Sequence, residues 1–392
     1  MRLLVINWFD RSHPLWGGAE VYLHEVFRRL VARGHEVTLL CSTYRGGLAE
    51  SEDQGIHILR RGHFWTFHLE VPWIYRHELA GQRWDCVFEY ANKVPMLTPL
   101  FVRAPLVAVA HHLWGGSIFY ESAPPVAAYV WTMERLLPAF YRHVPWIAVS
   151  ESTRGDLVRV GIRAGQVQVV PNGVDAPSPP RPLSHKGGGG GSDGESVIAW
   201  IGRMKRYKRV DVLLRAMPRV LSQVPGVRLE LAGDGVEAAR LRALVERLGL
   251  GPEHVRFLGS VPDAERSDLF RRAAVLAQPS QKEGWGRTVL EAAAFGVPAV
   301  ASAVAGLSES VRHGETGLLV PPGDPDALSA ALVTLLLDPA TRNRMGSAAQ
   351  ARARGFSWDA AAGATECLAH SLTGHQIPTQ PILRAETSPA EA

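Results

Sequence analysis

Two carboxylates eight residues apart bracket a Gly-x-Gly step in Gln278-Pro279-Ser280-Gln281-Lys282-Glu283-Gly284-Trp285-Gly286-Arg287-Thr288-Val289-Leu290-Glu291-Ala292. The segment leaves an apolar strand, passes a loop with two glycines and enters a helix. Glycines let the backbone come close to a ligand. The unpaired N–H groups of a first helical turn, with the helix dipole, then form an anion site. Glu291 falls about one turn inside that helix, placed to accept hydrogen bonds from hydroxyls, and Glu283 stands at the lip before it. A buried carboxylate is costly unless hydrogen-bonded, so acids in such positions find partners. The plainer alternative makes Glu283 a solvated acid at a helix end and Glu291 an exposed helix residue.

A second group of chemistry-bearing residues is basic. Gly202-Arg203-Met204-Lys205-Arg206-Tyr207-Lys208-Arg209 follows an apolar run. Arg203 offers a planar fork and Lys208 a point charge, both suited to phosphate oxygens. A solvated basic patch remains the simpler reading of Lys205, Arg206 and Arg209. His111 and His112 end another apolar run, where a histidine is more often structural than catalytic. Asp324-Pro325-Asp326 has the Asp-x-Asp spacing of a metal–diphosphate site, but Asp followed by Pro at a helix start is ordinary capping chemistry. Ser150 before a helix reads as a cap as well. The 15 histidines show no ligand spacing with cysteines or carboxylates, including His111-His112 and His63/His68.

The elements that must position these residues alternate. Apolar strands are predicted at 2–7, 36–41, 86–89, 106–110 and 146–149. The first is followed by a loop through Trp16-Gly17-Gly18 and a helix bearing Tyr22, Val26 and Leu30 at i, i+4, i+8. Short continuous apolar strands between helices imply a parallel sheet covered on both faces. The pattern breaks at 176–196, where Ala176-Pro177-Ser178-Pro179-Pro180 and Gly187 to Gly191 make a linker. It restarts with strands at 197–201, 227–232, 255–258, 275–278 and 298–302. The helix after 209 contains Pro218, placed to kink it. Helices at 325–337, 341–353 and 357–372 follow, and 374–392 reads as a loose tail. The fold class is therefore α/β. Two Rossmann-like, doubly wound domains (1–175 and 197–356) face each other across a cleft that collects the carboxyl ends of both sheets.

Composition narrows the class. The chain has 392 residues, 46% hydrophobic and 20% charged, which fits two globular domains and excludes collagen, coiled coil and wholesale disorder. Three cysteines (Cys41, Cys86, Cys367) without motif spacing argue against a disulfide framework and for a reducing, cytoplasmic setting. A net charge of +4 is too small to predict a nucleic-acid partner. No apolar run is long enough to span a membrane. Residues 113–147 are rich in aromatics, read first as core or acceptor wall, with peripheral membrane contact at the cytoplasmic face as the alternative.

The acidic segment resembles the Glu-x7-Glu motif of retaining nucleotide-sugar glycosyltransferases of the GT-B fold, in particular glycosyltransferase family 4 (glycosyl transferases group 1). Further elements follow in the family's order. Gly17-Gly18-Ala19-Glu20 resembles its N-terminal glycine pair, and Pro171-Asn172-Gly173-Val174-Asp175 the approach to its hinge. Gly202-Arg203 with Lys208 resembles its Gly-Arg-x4-Lys element, and Ala232-Gly233-Asp234-Gly235 its Gly-x-Gly loop. Glu309 with Gly314-x-x-Gly317-Leu318 resembles its Glu…Gly-x-x-Gly-Leu stretch. The resemblance covers about residues 1–372.

It implies a sugar transfer from a UDP- or GDP-linked donor to a hydroxyl acceptor that the sequence does not identify. By resemblance, Arg203 and Lys208 grip the diphosphate, with Gly18, Gly284, Trp285 and Gly286 completing an anion cradle. Glu291 and Leu290 meet the nucleoside, and the loop Phe257-Leu258-Gly259 receives the base. Glu283 and His111 sit beside the transferred sugar, although His112 stands where relatives often have Asp and competes for that role. The last helix (about 357–373) packs back on the N-terminal domain. Arg203 and Lys208 supply positive charge, so no cofactor or metal is required; Mg²⁺ at the diphosphate is the open alternative. The acceptor is expected to be chosen by loops at 42–78 and 113–145. The competing readings are a UDP-sugar epimerase or phosphorylase of the same fold, and a non-catalytic nucleotide-sugar binder. A phosphorylase would need a longer chain and a pyridoxal-phosphate lysine, and an epimerase would lack the Glu-x7-Glu spacing.

Overall fold

The computed structural model describes residues 1–92, 94–175 and 196–374. The segments read as linker (176–196) and tail (374–392) lie outside the described residues except for Ser196 and Gly374. Two sheets form. The first contains β1 (Arg2–Ile6), β2 (Glu36–Cys41), β3 (Glu50–Asp53), β4 (Ile56–Arg60), β5 (Cys86–Tyr90), β6 (Leu106–Ala110), β7 (Trp146–Ala148) and β8 (Val167–Val169), in the order β3-β4-β2-β1-β5-β6-β7-β8. The second contains β9 (Val197–Ile201), β10 (Arg228–Ala232), β11 (Val255–Gly259), β12 (Ala273–Gln278), β13 (Ala299–Ser302) and β14 (Gly317–Val320), in the order β11-β10-β9-β12-β13-β14.

The pairing is parallel throughout except between β3 and β4. Strands such as Val197-Ile198-Ala199-Trp200-Ile201 are buried along their whole length. That is what helices on both faces of a parallel sheet require. Strand order reverses beside β1 in one sheet and beside β9 in the other. Loops after β1, β9 and β12 therefore open into crevices at the carboxyl ends, where ligands of such sheets bind.

Two regions expected as acceptor loops are more structured. Residues 42–78 contain the β3–β4 hairpin and a helix, Phe67–Ile74. Gln54 and Gly55 both have positive φ (52° and 79°), the backbone of a tight hairpin turn. The strand Glu50-Ser51-Glu52-Asp53 is polar because it forms the sheet edge, so it carries no apolar signal. Residues 113–145 contain the long helix Pro124–Phe140, whose Ala127, Val130 and Leu137 are buried. The helix Val210–Gln223 runs through Pro218.

The C-terminal helix Trp358–Thr373 returns to the first sheet's side. Its Trp358, Ala361, Ala362 and Ala369 share an apolar cluster with Tyr22, Val26 and Phe27 of the helix Gly18–Ala32. Arg33 donates to Glu366 at 2.6 Å on the rim of this contact.

Candidate active site

The second sheet's carboxyl edge is built by backbone crossings that admit no side chain. Gly233 has φ +130°, and a Cβ there would lie 1.9 Å from the carbonyl oxygen of Gly202. Gly235 has φ +157°, with its Cβ position 2.5 Å from the Met204 oxygen. Backbone bonds from Met204 to Asp234 (2.8 Å) and from Gly233 to Gly259 (2.6 Å) lock three loops together. Arg203 is thereby aimed at the other lobe. Its guanidinium donates to the Leu15 oxygen at 2.9 Å and lies 2.9 Å from the Cβ position of Gly17. Any residue larger than glycine at 17 would displace it.

Lys208 ends a short 3-10 turn, and its ammonium meets Glu283 Oε1 at 2.5 Å. The same oxygen accepts from Ser280 Oγ (2.8 Å) and Gln278 Nε2 (2.9 Å). Burial works against both charges, yet the ion pair prevails. Glu283 titrates below its ordinary range despite its desolvation, because Lys208, Ser280 and Gln278 favour the carboxylate; Lys208 is correspondingly raised. The loop then passes close to the first lobe. A Cβ on Gly284 would lie 2.3 Å from the His111 oxygen, which explains a glycine here. Gly286, at φ +82°, caps the helix Arg287–Ala294.

Inside that helix Glu291 pairs with Arg287 at 2.5 Å, with Arg266 3.9 Å away, and its Oε2 is buried with no partner. Its neighbours have different surroundings. The side chains of Trp285 and Leu290 are buried in the cluster that holds Tyr22 and Trp358, with Trp285 against Phe356 at 5.3 Å. Their side chains are thus taken up by packing, which leaves the backbone amide as the group Trp285 offers to the expected cradle. The Phe257 ring is covered by the Arg242 guanidinium at 4.3 Å, and Leu258 packs against the second lobe's apolar cluster.

On the first lobe, Gly18 begins the helix Gly18–Ala32 with open space at its Cβ position. Glu20 accepts from Gly17 N (2.7 Å) and Asn7 Nδ2 (3.2 Å), and burial pushes its pKa up. The two histidines separate. The His111 ring stacks on Tyr90 (5.8 Å) and meets Tyr22 edge-on (5.1 Å), and its buried Nε2 has no partner. Burial holds its pKa down to about 3. His112 faces the charges: burial depresses it to about 4, and Lys282, Glu283, Lys208 and Arg203 all act on it. Of the two histidines between which the sequence leaves the sugar-side role open, His112 lies on the side of the charged residues, its Cβ 3.6 Å from the Cβ position of Gly284. Strand alternation explains this. His111 continues the face of Val107 and Val109, which lie in the cluster of Tyr22 and Tyr90, and His112 continues the opposite face.

Three further cross-lobe contacts were not singled out from sequence. Lys282 reaches the loop 113–117. Glu309 accepts from Glu151 N (2.8 Å) and Ser152 N (2.7 Å), capping a helix of the other lobe. Trp114 meets Tyr207 edge-on at 6.2 Å. Asp324 accepts from Asp326 N and Ala327 N, both at 2.9 Å, and is a helix cap as expected; Ser150 caps likewise through Thr153 N at 3.0 Å. Among the described residues, the His and acid side chains with metal-ligand proximity are His35, Glu366 and His370, at the C-terminal helix. None of them belongs to the cleft set above.

Residues 187–352 match the family described as Glycosyl transferases group 1, and residues 16–177 match Glycosyltransferase Family 4. A D-inositol 3-phosphate glycosyltransferase of Kineococcus radiotolerans is 35% identical over 350 residues, 83% of this chain and 74% of that protein. The enzyme of the same name from Kribbella flavida is 37% identical over 216 residues, 52% of this chain and 51% of that protein, so that match spans about half its length. The Anabaena HepE structure in complex with UDP and glucose superposes with a TM-score of 0.74 at 22% identity, covering 95% of this chain and 100% of HepE, which shows the shared GT-B fold. With both halves matched in order and the relative from Kineococcus aligned over most of its length, the chain belongs to the group 1 glycosyltransferases, glycosyltransferase family 4.

Proposed function

We propose that this chain transfers a sugar, with retention of anomeric configuration, from a nucleoside-diphosphate sugar to a hydroxyl acceptor. The observation that carries this reading is the convergence of Arg203, Lys208, Glu283 and His112 at the meeting of the two lobes. A diphosphate leaving group needs its negative charge neutralised as the glycosidic bond breaks. Arg203 and Lys208 offer that charge from one loop, without a metal; added Mg²⁺ is not needed on this account. On this reading Glu291, whose buried Oε2 has no partner among the described residues, would accept from the ribose hydroxyls. Backbone N–H groups near Gly284 to Gly286, and Gly18 across the cleft, would complete the cradle.

In the front-side route, the bond from the anomeric carbon to the phosphate oxygen breaks as one to the acceptor oxygen forms. The acceptor proton passes to the departing phosphate oxygen. Glu283 then holds sugar hydroxyls, with Lys208 shared between it and the phosphate. HepE was solved with UDP and glucose, and the named relatives act on an inositol phosphate, which makes UDP-glucose and inositol 3-phosphate the first probes. The test measures UDP release and product anomer over a panel of UDP- and GDP-sugars with polyol and polyol-phosphate acceptors. A glycoside of retained configuration is expected; donor binding without turnover over the whole panel would favour a non-catalytic binder.

A membrane-surface acceptor is supported by a separate feature. Trp65 in the turn before the helix Phe67–Ile74, and Leu69 and Trp73 on it, are 70%, 65% and 61% exposed, and Tyr129 is joined to that helix through His68 at 2.9 Å. Between residues 122 and 150 the only acid is Glu134, which is buried, so the exposed charged or imidazole side chains of that stretch are the basic Arg135, Arg142 and His143. Aromatics with basic neighbours suit an anionic, cytoplasm-facing bilayer. Co-sedimentation with phosphatidylglycerol vesicles, lost in Trp65→Ser/Trp73→Ser, is expected. No helix of the described residues is long and apolar enough to cross a membrane.

A further inference from the structure

The loop 113–117 is held from both sides by charges of opposite sign. Glu134, from the helix Pro124–Phe140 of the same lobe, accepts from Trp114 N (2.6 Å) and Gly115 N (2.8 Å). Lys282, from the second lobe, donates to the oxygens of Leu113 and Trp114 (2.8 Å for the latter) and to Ser117 Oγ (3.2 Å). The acid takes the amides and the ammonium takes the carbonyls, so the peptide dipoles of the turn lie along the field between them. Charge-assisted bonds of this kind are about twice as strong as neutral ones. The turn directly follows His111 and His112, and Trp114 packs against His112 (4.9 Å) on one side and faces Tyr207 on the other. Lys282 itself directly precedes Glu283.

The two holders differ in when they act. Glu134 belongs to the loop's own lobe and is present whether or not the lobes meet. Lys282 arrives only with the second lobe, on the segment that carries Glu283. Resting on the glycosyltransferase reading above, we propose that Lys282 is a positioning residue for sugar transfer: it fixes the turn 113–117, and with it His112 and Trp114, whenever the lobes meet as they do in this structure. Its ammonium bonds are to the oxygens of Leu113, Trp114 and Ser117, so it acts through the loop. The loop is thereby registered against Glu283 in the same movement that brings the donor lobe across.

The test uses the full chain and the variants Lys282→Met and Lys282→Arg. In hydrogen exchange without ligand, Lys282→Met is expected to raise the exchange rate of the 113–117 amides about tenfold, with the Glu309-capped amides of Glu151 and Ser152 unchanged. Lys282→Arg, which keeps the charge and donors, should restore protection at least in part. With UDP-glucose and water as acceptor, Lys282→Met is expected to lower kcat about tenfold while its KM and the UDP-induced rise in Tm stay within twofold of the parent protein. Unchanged 113–117 exchange, or unchanged kcat, overturns the proposal. If the parent protein neither binds UDP nor hydrolyses UDP-glucose, the glycosyltransferase reading fails, and the exchange arm still decides the role of Lys282 in holding the loop.

Discussion

Lys208 and Glu283 form an ion pair at 2.5 Å with side chains only 14% and 12% exposed, and it joins the loop after β9 to the loop after β12. The pair preorganises one positive charge at the point where two loops of the donor lobe converge. Ser280 and Gln278 satisfy the same carboxylate oxygen, so Glu283 is fixed in orientation as well as in charge.

Removing one partner leaves the other charge buried and unpaired, at a cost of roughly 3 kcal/mol. Lys208→Met is therefore expected to be destabilised by about that amount in urea unfolding, and Lys208→Met/Glu283→Gln to recover most of it. Both variants should lose UDP-sugar turnover. A Lys208→Met protein of unchanged stability would show that the pair is solvated rather than buried.

Gly284 separates closure from folding. A methyl group there would sit 2.3 Å from the His111 oxygen, across the lobes. Gly284→Ala should lower turnover by at least tenfold while each lobe keeps its unfolding midpoint. Gly233→Ala, with φ +130° and a 1.9 Å clash within one lobe, should instead destabilise that lobe by roughly 3 kcal/mol or more. Circular dichroism melts and a UDP-release assay distinguish the two outcomes.

Acid should weaken the fold at Glu283 and at His111 and His112, opposed by buried Glu20, whose raised pKa favours the fold in acid. Glu283 sits below its ordinary value of 4.5, so its contribution is full above that pH and is lost as pH falls through the lowered value. His111 and His112, depressed by burial from 6.5 to about 3 and about 4, favour the neutral form, so stability falls as pH drops below 6.5. Each unit of such depression corresponds to about 1.4 kcal/mol at most. Tm is expected to be flat from pH 7 to 8 and to decline from 6.5 to 4. His111→Phe should flatten that upper limb; an unchanged slope would mean that the ring is solvated.

Much of this site is legible from the sequence because glycine spacing and strand periodicity are local. Gly233 and Gly235 mark backbone crossings that only glycine permits, and Glu283 and Glu291 stand in and beyond a loop whose ends are set by β12 and a helix. The assignment between His111 and His112 was also available, since the alternation from Val107 and Val109 carries His111 to the buried face. The side chains of Trp285 and Leu290 serve the interlobe core, packing with Tyr22, Phe356 and Trp358, which the donor motif they share does not reveal. Lys282 was not legible at all. Its partners lie 165 to 169 residues away and are mostly backbone oxygens, which leave no trace in residue identity.

Glu291 provides a check on the nucleoside end. Its Oε1 is held by Arg287 and its Oε2 is free of partners, so Glu291→Gln keeps the shape and removes the charge. UDP affinity should fall about tenfold to a hundredfold, as expected for charge-assisted bonds to hydroxyls. Global stability should move by about 1 kcal/mol, because the Gln amide oxygen can still accept from Arg287 while the charge of this largely buried pair is lost. A loss of stability with unchanged UDP affinity would assign Glu291 a structural role only.

The most direct measurement is calorimetric titration of UDP into the parent protein, Arg203→Ala and Arg206→Ala. Arg203 reaches across to Leu15 at 2.9 Å, whereas Arg206 acts across the lobes through the charge of Glu121. The account expects Arg203→Ala to weaken UDP at least a hundredfold, about 2.7 kcal/mol, with Arg206→Ala within threefold of the parent. Equal affinities for all three proteins would contradict a diphosphate held by Arg203 in the cleft.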